Sequence, residues 1–407
     1  MTHEVDLPLA GVRVVEIGQL IAIPSAGQQL SDLGAEVIKL EPPGGEPARQ
    51  IDADYARGIF YGYNRGKRSI CLDLKDSADL QRARDLIASS DILLHNLRPG
   101  TLDRLGFSSA ELQRLRPEII SVSVSGYGAE GPSATRAGLD IAAQAESGLM
   151  SVTGEAEGPP QRVGAPVIDH ATSYVVAQAV LAALLRRDRT GKGSSVRVSL
   201  LDVAIHLQTA NWIEWQVSGK SMSRKGNGQP SVAPAADVFR AVDGELVISG
   251  YQPRAWIELC KAIDLPELAD DPRFSTNTLR VENRAVLVAT IEKQLCHRSA
   301  AEAVEHLTAA GVVAALVRDY DQVICADDVI ANRTFIPGTN ERGEQYLTPA
   351  MPYRAEPPMA RTDPSQVPAL NEWASSMGWM RHSGRKPLGN NVTDKPISMH
   401  HRGDVQC

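Results

Sequence analysis

The strongest constraint lies in the first forty residues, where two short apolar strand patterns flank one helix. Val12-Arg13-Val14-Val15-Glu16-Ile17 reads as a strand, Gly18 follows, and a helical segment runs from about Pro24 to Leu33. Gly34 stops that helix, and Ala35-Glu36-Val37-Ile38-Lys39-Leu40 resumes the strand pattern. Such a unit suits a parallel sheet, because parallel neighbours need a crossover long enough to hold a helix. The pattern recurs. Ile70-Cys71-Leu72 leads through a helix over residues 77–89 to Ile92-Leu93-Leu94. A capping box, Ser108-x-x-Glu111, opens a helix that ends before Pro117, and Ile119 to Val124 is the next strand. The predicted fold class is α/β, with a Rossmann-like open parallel sheet.

Further along, Thr172 to Arg187 has the composition of a helix, Ser195 to Leu200 alternates as a strand, and Leu201 to Trp215 reads as helix again. A boundary is expected near residue 220. Lys220 to Pro234 is rich in Gly, Ser, Pro and Lys, and Asp237 to Ile248 reads as a hairpin turning at Asp243-Gly244. Helices and a short strand at Val312–Leu316 follow. The expected organisation is a large domain over residues 1–220, completed by 326–377, with a smaller α+β domain over 225–325 and a polar tail over 378–407.

Composition excludes several functions. With 42 Lys+Arg against 49 Asp+Glu the net charge is -7, which argues against a nucleic-acid grip. No stretch approaches the ~18 uninterrupted apolar residues of a membrane helix, so no membrane partner is expected. The first ten residues, MTHEVDLPLA, lack a basic region followed by an apolar core, and a cytoplasmic location is expected. Cys71, Cys260, Cys296, Cys325 and Cys407 form no CxxC, and His400-His401 has no third ligand at metal spacing, so no metal site is expected. The first strand-to-helix turn, Gly18-Gln19-Leu20-Ile21-Ala22-Ile23-Pro24, is not G-x-G-x-x-G, which argues against a nicotinamide cofactor. Phosphate-loop, nucleophile-elbow and H-E-x-x-H motifs are missing too.

Open α/β sheets bind ligands at the carboxyl ends of their strands, so polar residues near strand ends are candidates. Asn64-Arg65-Gly66-Lys67-Arg68-Ser69 precedes one strand and Asp73-Leu74-Lys75 ends it; Asn96-Leu97-Arg98-Pro99-Gly100 and Arg104 follow the next. Each alone reads as solvated surface. Together, in an acidic chain, they read as a cationic patch for an anionic ligand such as a phosphorylated nucleotide. Asp169 stands just before the helix predicted from about residue 172, where a carboxylate acts as N-cap. The same place keeps it ionised for attack on an activated carbonyl, and both roles stay open. Lys225-Gly226-Asn227-Gly228-Gln229-Pro230 is either a flexible linker or a loop whose glycines let backbone approach a substrate.

The ordered set of motifs resembles the family III CoA-transferases, also called the carnitine-CoA transferase or formyl-CoA transferase family, over about residues 8–350. Its carriers include Pro8-Leu9-x-Gly11-x-Arg13-Val14, Asp32-Leu33-Gly34-Ala35-Glu36-Val37-Ile38-Lys39-x-Glu41, Asn64-x-Gly66-Lys67-Arg68-Ser69 and Asn96-x-Arg98-Pro99-Gly100. Ser125-Gly126-Tyr127-Gly128-x-x-Gly131-Pro132 and Arg189-Thr190-Gly191-Lys192-Gly193 continue the set. The resemblance implies that coenzyme A, as acyl-CoA substrate, is bound by Leu72, Asp73, Leu74 and Lys75, by Asn96, Leu97 and Arg98, and by Arg104. It adds Arg136, Ala137, Gly138 and Leu139 to that set, and makes Asp169 the catalytic carboxylate beneath a mobile loop of Gly226, Gly228 and Gln229. It also implies an interlocked homodimer acting on acyl-CoA and small carboxylic acids through an aspartyl-CoA thioester.

The family also holds α-methylacyl-CoA racemases, whose His-Asp pair falls where this chain has Leu139-Asp140. An alkyl side chain exchanges no proton, so transfer is favoured over racemisation and over a CoA-binding protein without turnover. Two departures border the nucleotide site: Ala22-Ile23-Pro24 replaces A-G-P, and Gly45-Glu46-Pro47-Ala48-Arg49 replaces G-D-x-x-R. Ile23 is expected to narrow the crevice.

Overall fold

The structure is a computed structural model that describes residues 7–50, 54–228, 236–250, 252–361 and 365–371. Its centre is a six-stranded sheet of β1 (Arg13–Ile17), β2 (Glu36–Glu41), β3 (Arg68–Cys71), β4 (Ile92–His95), β5 (Ile120–Ser125) and β6 (Ser194–Ser199). The strands run in the order β3-β2-β1-β4-β5-β6, every neighbouring pair parallel. Val14, Val15, Ile38, Ile92, Leu93 and Ile120 are all fully buried, as strands covered on both faces require. Strand order reverses between β1 and β4, which makes their carboxyl ends the topological switch point.

The helix Ala22–Asp32 joins β1 to β2, and every residue in it is buried. The long helix Val167–Thr190 leads into β6. Its last turn reaches the amino edge of the sheet, where Arg187 donates to Asp91 at 3.0 Å just before β4. Its first turn therefore starts from the carboxyl edge. The helix begins five residues earlier than the predicted 172, because Ile168 joins Thr172 and Val176 on a buried i, i+4, i+8 stripe. This helix has the length and mean hydropathy of a membrane span, with 44% of that window buried in the fold.

The described residues divide into two compact units: those within 1–139, 168–203 and 324–407 form the first, those within 140–167 and 204–323 the second. The change thus falls at 203/204, where the sequence suggested 220. The expected helix Leu201 to Trp215 is two, Leu200–His206 and Thr209–Ser218. At the break, buried Gln208 donates to Ala204 O and Ser147 O, tying this segment to residues 140–167. The second unit holds an antiparallel sheet of β7 (Ala236–Arg240), β8 (Glu245–Ser249) and β9 (Val313–Leu316), and the hairpin turns at Asp243-Gly244 as predicted. Phe239, Leu246, Ile248, Leu259, Phe274 and Leu287 fill its core.

Two features of the first unit escaped the sequence: the helix Asp54–Asn64, and a small sheet of β10 (Phe335–Thr339), β11 (Gln345–Pro349) and β12 (Ser365–Gln366). Residues 378–407, read as a polar tail, lie outside the described residues.

Candidate active site at the strand ends

The segments singled out for CoA all fall at the carboxyl ends of β3, β4 and β5. After β3, Leu72 is buried, Asp73 and Leu74 are half-buried and Lys75 is exposed. Asp73 Oδ1 accepts the Lys75 N–H at 3.0 Å, which folds the segment back on itself. After β4, Asn96 and Leu97 are half-buried and Arg98 is exposed; Gly100, at φ 76°, opens the short helix that carries exposed Arg104. After β5, a Cβ on Gly126 would lie 2.6 Å from the Gly138 Cα, so only glycines let these backbones touch. That contact lays Arg136, Ala137, Gly138 and Leu139 against the end of β5, with the Arg136 guanidinium 4.7 Å from the Tyr127 ring centre.

The cationic patch is smaller than the sequence suggested. Arg65 is buried and forks onto both oxygens of Asp32 at 2.6 and 2.7 Å. Lys67 is buried and donates to Glu16 Oε2 at 2.7 Å, Pro24 O at 2.8 Å and Asn64 Oδ1 at 3.0 Å. Arg68 sits at the opposite, amino end of β3, 3.2 Å from Glu36. Arg65 and Lys67 precede β3 and Arg68 is its first residue, so none lies at its carboxyl end. Lys75, Arg98 and Arg104 remain as cations at that edge, none in an ion pair among the described residues.

Beneath the switch point lies a charged cluster that the strand pattern did not reveal. Lys39 Nζ donates to Glu16 Oε1 at 2.8 Å and to Gly18 O at 3.0 Å. It also lies 2.8 Å from Glu46 Oε1, off the line of a hydrogen bond, as an ion-pair contact. Burial alone would raise the Glu16 carboxyl, but the Lys39 and Lys67 ammonium groups overcome it and hold the acid below its usual range. Burial pushes Lys67 down to about 8, with Glu16 opposing and Lys39 adding to the fall. The signal was present in the sequence: Glu16 and Lys39 stand inside strands otherwise apolar on both faces. Ile23 does not narrow the crevice, since it is fully buried and packs over Gly18.

Asp169 is half-buried and belongs to the first turn of the long helix, two residues in, rather than capping it from outside. There it still feels the unpaired N–H groups and positive end of the helix. Its neighbour His170 shares a 2.8 Å hydrogen bond with the Tyr63 hydroxyl. In the second unit, Gly226 has φ 60° and donates to Gly154 O at 3.0 Å, and Gly228 donates to Lys225 O at 3.1 Å. A Cβ on Gly228 would overlap the Arg284 guanidinium, so this stretch is a docked turn that demands glycine and not a plain linker. Gln229 lies outside the described residues. Among the described residues, no group of three His, Cys, Asp or Glu side chains is placed to hold a metal ion.

An open six-stranded parallel sheet covered by helices defines an α/β protein, and comparison with known proteins narrows it. Residues 9–373 match the profile of CoA-transferase family III. A probable fatty acyl-CoA transferase of Mycobacterium tuberculosis is 39% identical, covering 78% of this chain and 84% of that protein. The acetyl-CoA:oxalate CoA-transferase of Acetobacter aceti is 37% identical, over 75% and 79%. A crystal structure of a CAIB/BAIF family protein from Brucella suis superimposes with a TM-score of 0.82 at 32% identity, covering 92% of this chain and 99% of that one. The chain belongs to CoA-transferase family III.

Proposed function

We propose that this enzyme moves CoA from an acyl-CoA to a small carboxylic acid through Asp169. The observation that carries the reading is Asp169 itself, in the first turn of a helix that starts at the same sheet edge as the segments assigned to CoA. The Asp169 carboxylate attacks the thioester carbonyl; the C–S bond breaks, leaving a mixed anhydride and CoA thiolate. The thiolate attacks the aspartyl carbonyl and the donor acid departs, taking one oxygen that began on Asp169. The acceptor carboxylate then displaces the thiolate to form a second anhydride. The thiolate attacks the acceptor carbonyl of that anhydride, which restores Asp169 with one acceptor oxygen and releases the new acyl-CoA.

Lys75, Arg98, Arg104 and Arg136 hold the CoA phosphates in this reading. The name of the Acetobacter aceti relative makes oxalate the first acceptor to try. The enzyme works as a cytoplasmic homodimer in the same reading, checked by sedimentation velocity and cell fractionation. A racemase is disfavoured by Leu139, an exposed alkyl side chain where proton exchange needs a base.

Intact-protein mass spectrometry after rapid quenching with a panel of acyl-CoA thioesters tests the proposal. The wild type should gain a CoA-sized adduct on Asp169, and 18O-labelled acceptor should leave one label there. Asp169→Asn should lose both, with transfer falling by at least about 10³-fold. No adduct, with α-proton exchange from deuterated water, would move the protein to the racemases.

A further inference from the structure

Three consecutive residues at the end of β1 are each held by a side chain from elsewhere in the first unit. Gly18 O accepts from Lys39 Nζ at 3.0 Å. The Gln19 backbone is gripped on both sides by Asn96: its N–H donates to Oδ1 at 3.0 Å and its carbonyl accepts from Nδ2 at 2.9 Å. Leu20 N–H donates to Glu46 Oε2 at 2.8 Å, and Leu20 has φ 63°, a left-handed conformation that a leucine adopts only under constraint. The holders are themselves fixed. Glu46 is 1% exposed, its N–H donates to Glu41 Oε2 at 3.1 Å, and Arg49 binds both oxygens of Glu41 at 2.8 Å. Asn96 follows β4, so its grip on Gln19 spans the β1/β4 switch point where an open sheet receives its ligand.

This arrangement changes what Asn96 is for. Expected as a direct CoA contact, it commits its side-chain oxygen and its amide nitrogen to the backbone N–H and C=O of one residue, Gln19, just past the neighbouring strand. We propose that Asn96 and Glu46 are positioning residues for CoA transfer, acting through the Gly18–Leu20 turn, which they hold as a preformed wall of the crevice. The proposal rests on the reading that transfer occurs at this edge. Buried charge and a constrained backbone lock the wall before substrate arrives, so reorganisation at the reacting thioester is avoided.

The test uses the full chain with two probes: free CoA, titrated calorimetrically, and the best donor and acceptor pair from the adduct screen. Asn96→Ala should lower kcat by about 10-fold or more, as small misplacements near reacting atoms do, while the Kd for CoA stays within about twofold. Amide exchange at Gln19 and Leu20 should speed up. Glu46→Gln keeps an acceptor for the Leu20 N–H and should retain more kcat than Glu46→Ala, a graded rescue that a purely structural role would not track. Asn96→Asp keeps the Gln19 N–H acceptor and should fall between wild type and Asn96→Ala, which serves if the alanine variant misfolds. A tenfold rise in the CoA Kd with kcat unchanged would make Asn96 a direct ligand and overturn the proposal; so would unchanged kcat and unchanged exchange. If the wild type binds CoA and transfers nothing, the functional reading fails, and amide exchange alone then decides the clamp: faster at Gln19 and Leu20 in Asn96→Ala upholds it, no change overturns it.

Discussion

The interior beneath β1 and β2 and the core of the second unit solve the same packing problem with opposite chemistry. In the first, Glu16, Lys39, Glu46 and Lys67 are all at most 3% exposed, two carboxylates against two ammonium groups. In the second, Phe239, Leu246, Ile248, Leu259 and Phe274 form an apolar core, and one cation buried among the described residues of that unit, Arg280, is 4% exposed. Arg280 donates to Phe274 O at 3.0 Å and stands 4.9 Å from the Trp256 ring centre; burial lowers its pKa. Apolar contacts hold a shape without direction, whereas paired charges fix individual backbone atoms, at a desolvation cost that only full pairing offsets. The charged interior lies where three backbone groups of one turn need fixed positions.

The two interiors should differ most at Lys39. Lys39→Met strips Glu16 and Glu46 of a shared partner and should cost about 3–5 kcal/mol in urea unfolding, the cost of an uncompensated buried charge. Amide protection should fall in β1 and β2 while β8 is spared. A loss under about 1 kcal/mol would mean the cluster is loosely coupled.

Acid should sharpen the contrast next. Glu16 and Glu41 are held below their ordinary value of 4.5, Glu16 by the two lysines and Glu41 by Arg49, in each case against the opposing pull of burial. The folded state therefore binds fewer protons than the unfolded chain just below that pH. Their stabilisation is complete above 4.5 and is lost as pH falls through the lowered folded values, by about 1.4 kcal/mol per pKa unit of lowering. Exchange measured from pH 6 down to about pH 3 should open β1 and β2 before β7 and β8. Simultaneous opening would remove the distinction.

The smallest effect belongs to Arg280→Met. No carboxylate is left unpaired, and a flexible thioether can still pack on Trp256, so thermal unfolding should change by about 1 kcal/mol or less. A loss as large as that for Lys39→Met would show that the lone cation organises its core too.

Much of this was legible locally. Strands β1 to β6 appear within one or two residues of their apolar runs, Ser108 caps its helix by accepting from Glu111 N–H, and the hairpin turns at Asp243-Gly244. The candidate CoA segments were legible because residues that follow a parallel strand must lie at its carboxyl end. Partnership was not. Lys67 and Arg65 read as surface cations because nothing local distinguishes a solvated lysine from one whose carboxylate lies 51 residues away, as Glu16 does. Asp169 read as a cap because the buried stripe that extends its helix to Ile168 exists only once the helix is packed. Periodicity and glycine placement by themselves determined the parallel α/β layer, its order of elements and the edge that carries the candidate CoA segments, since these follow from steric rules acting over a few residues. The tertiary structure alone decided which charges turn inward, which backbone residue Asn96 grips and how Leu20 is held left-handed, because each depends on the distance between groups that meet only after the sheet has formed.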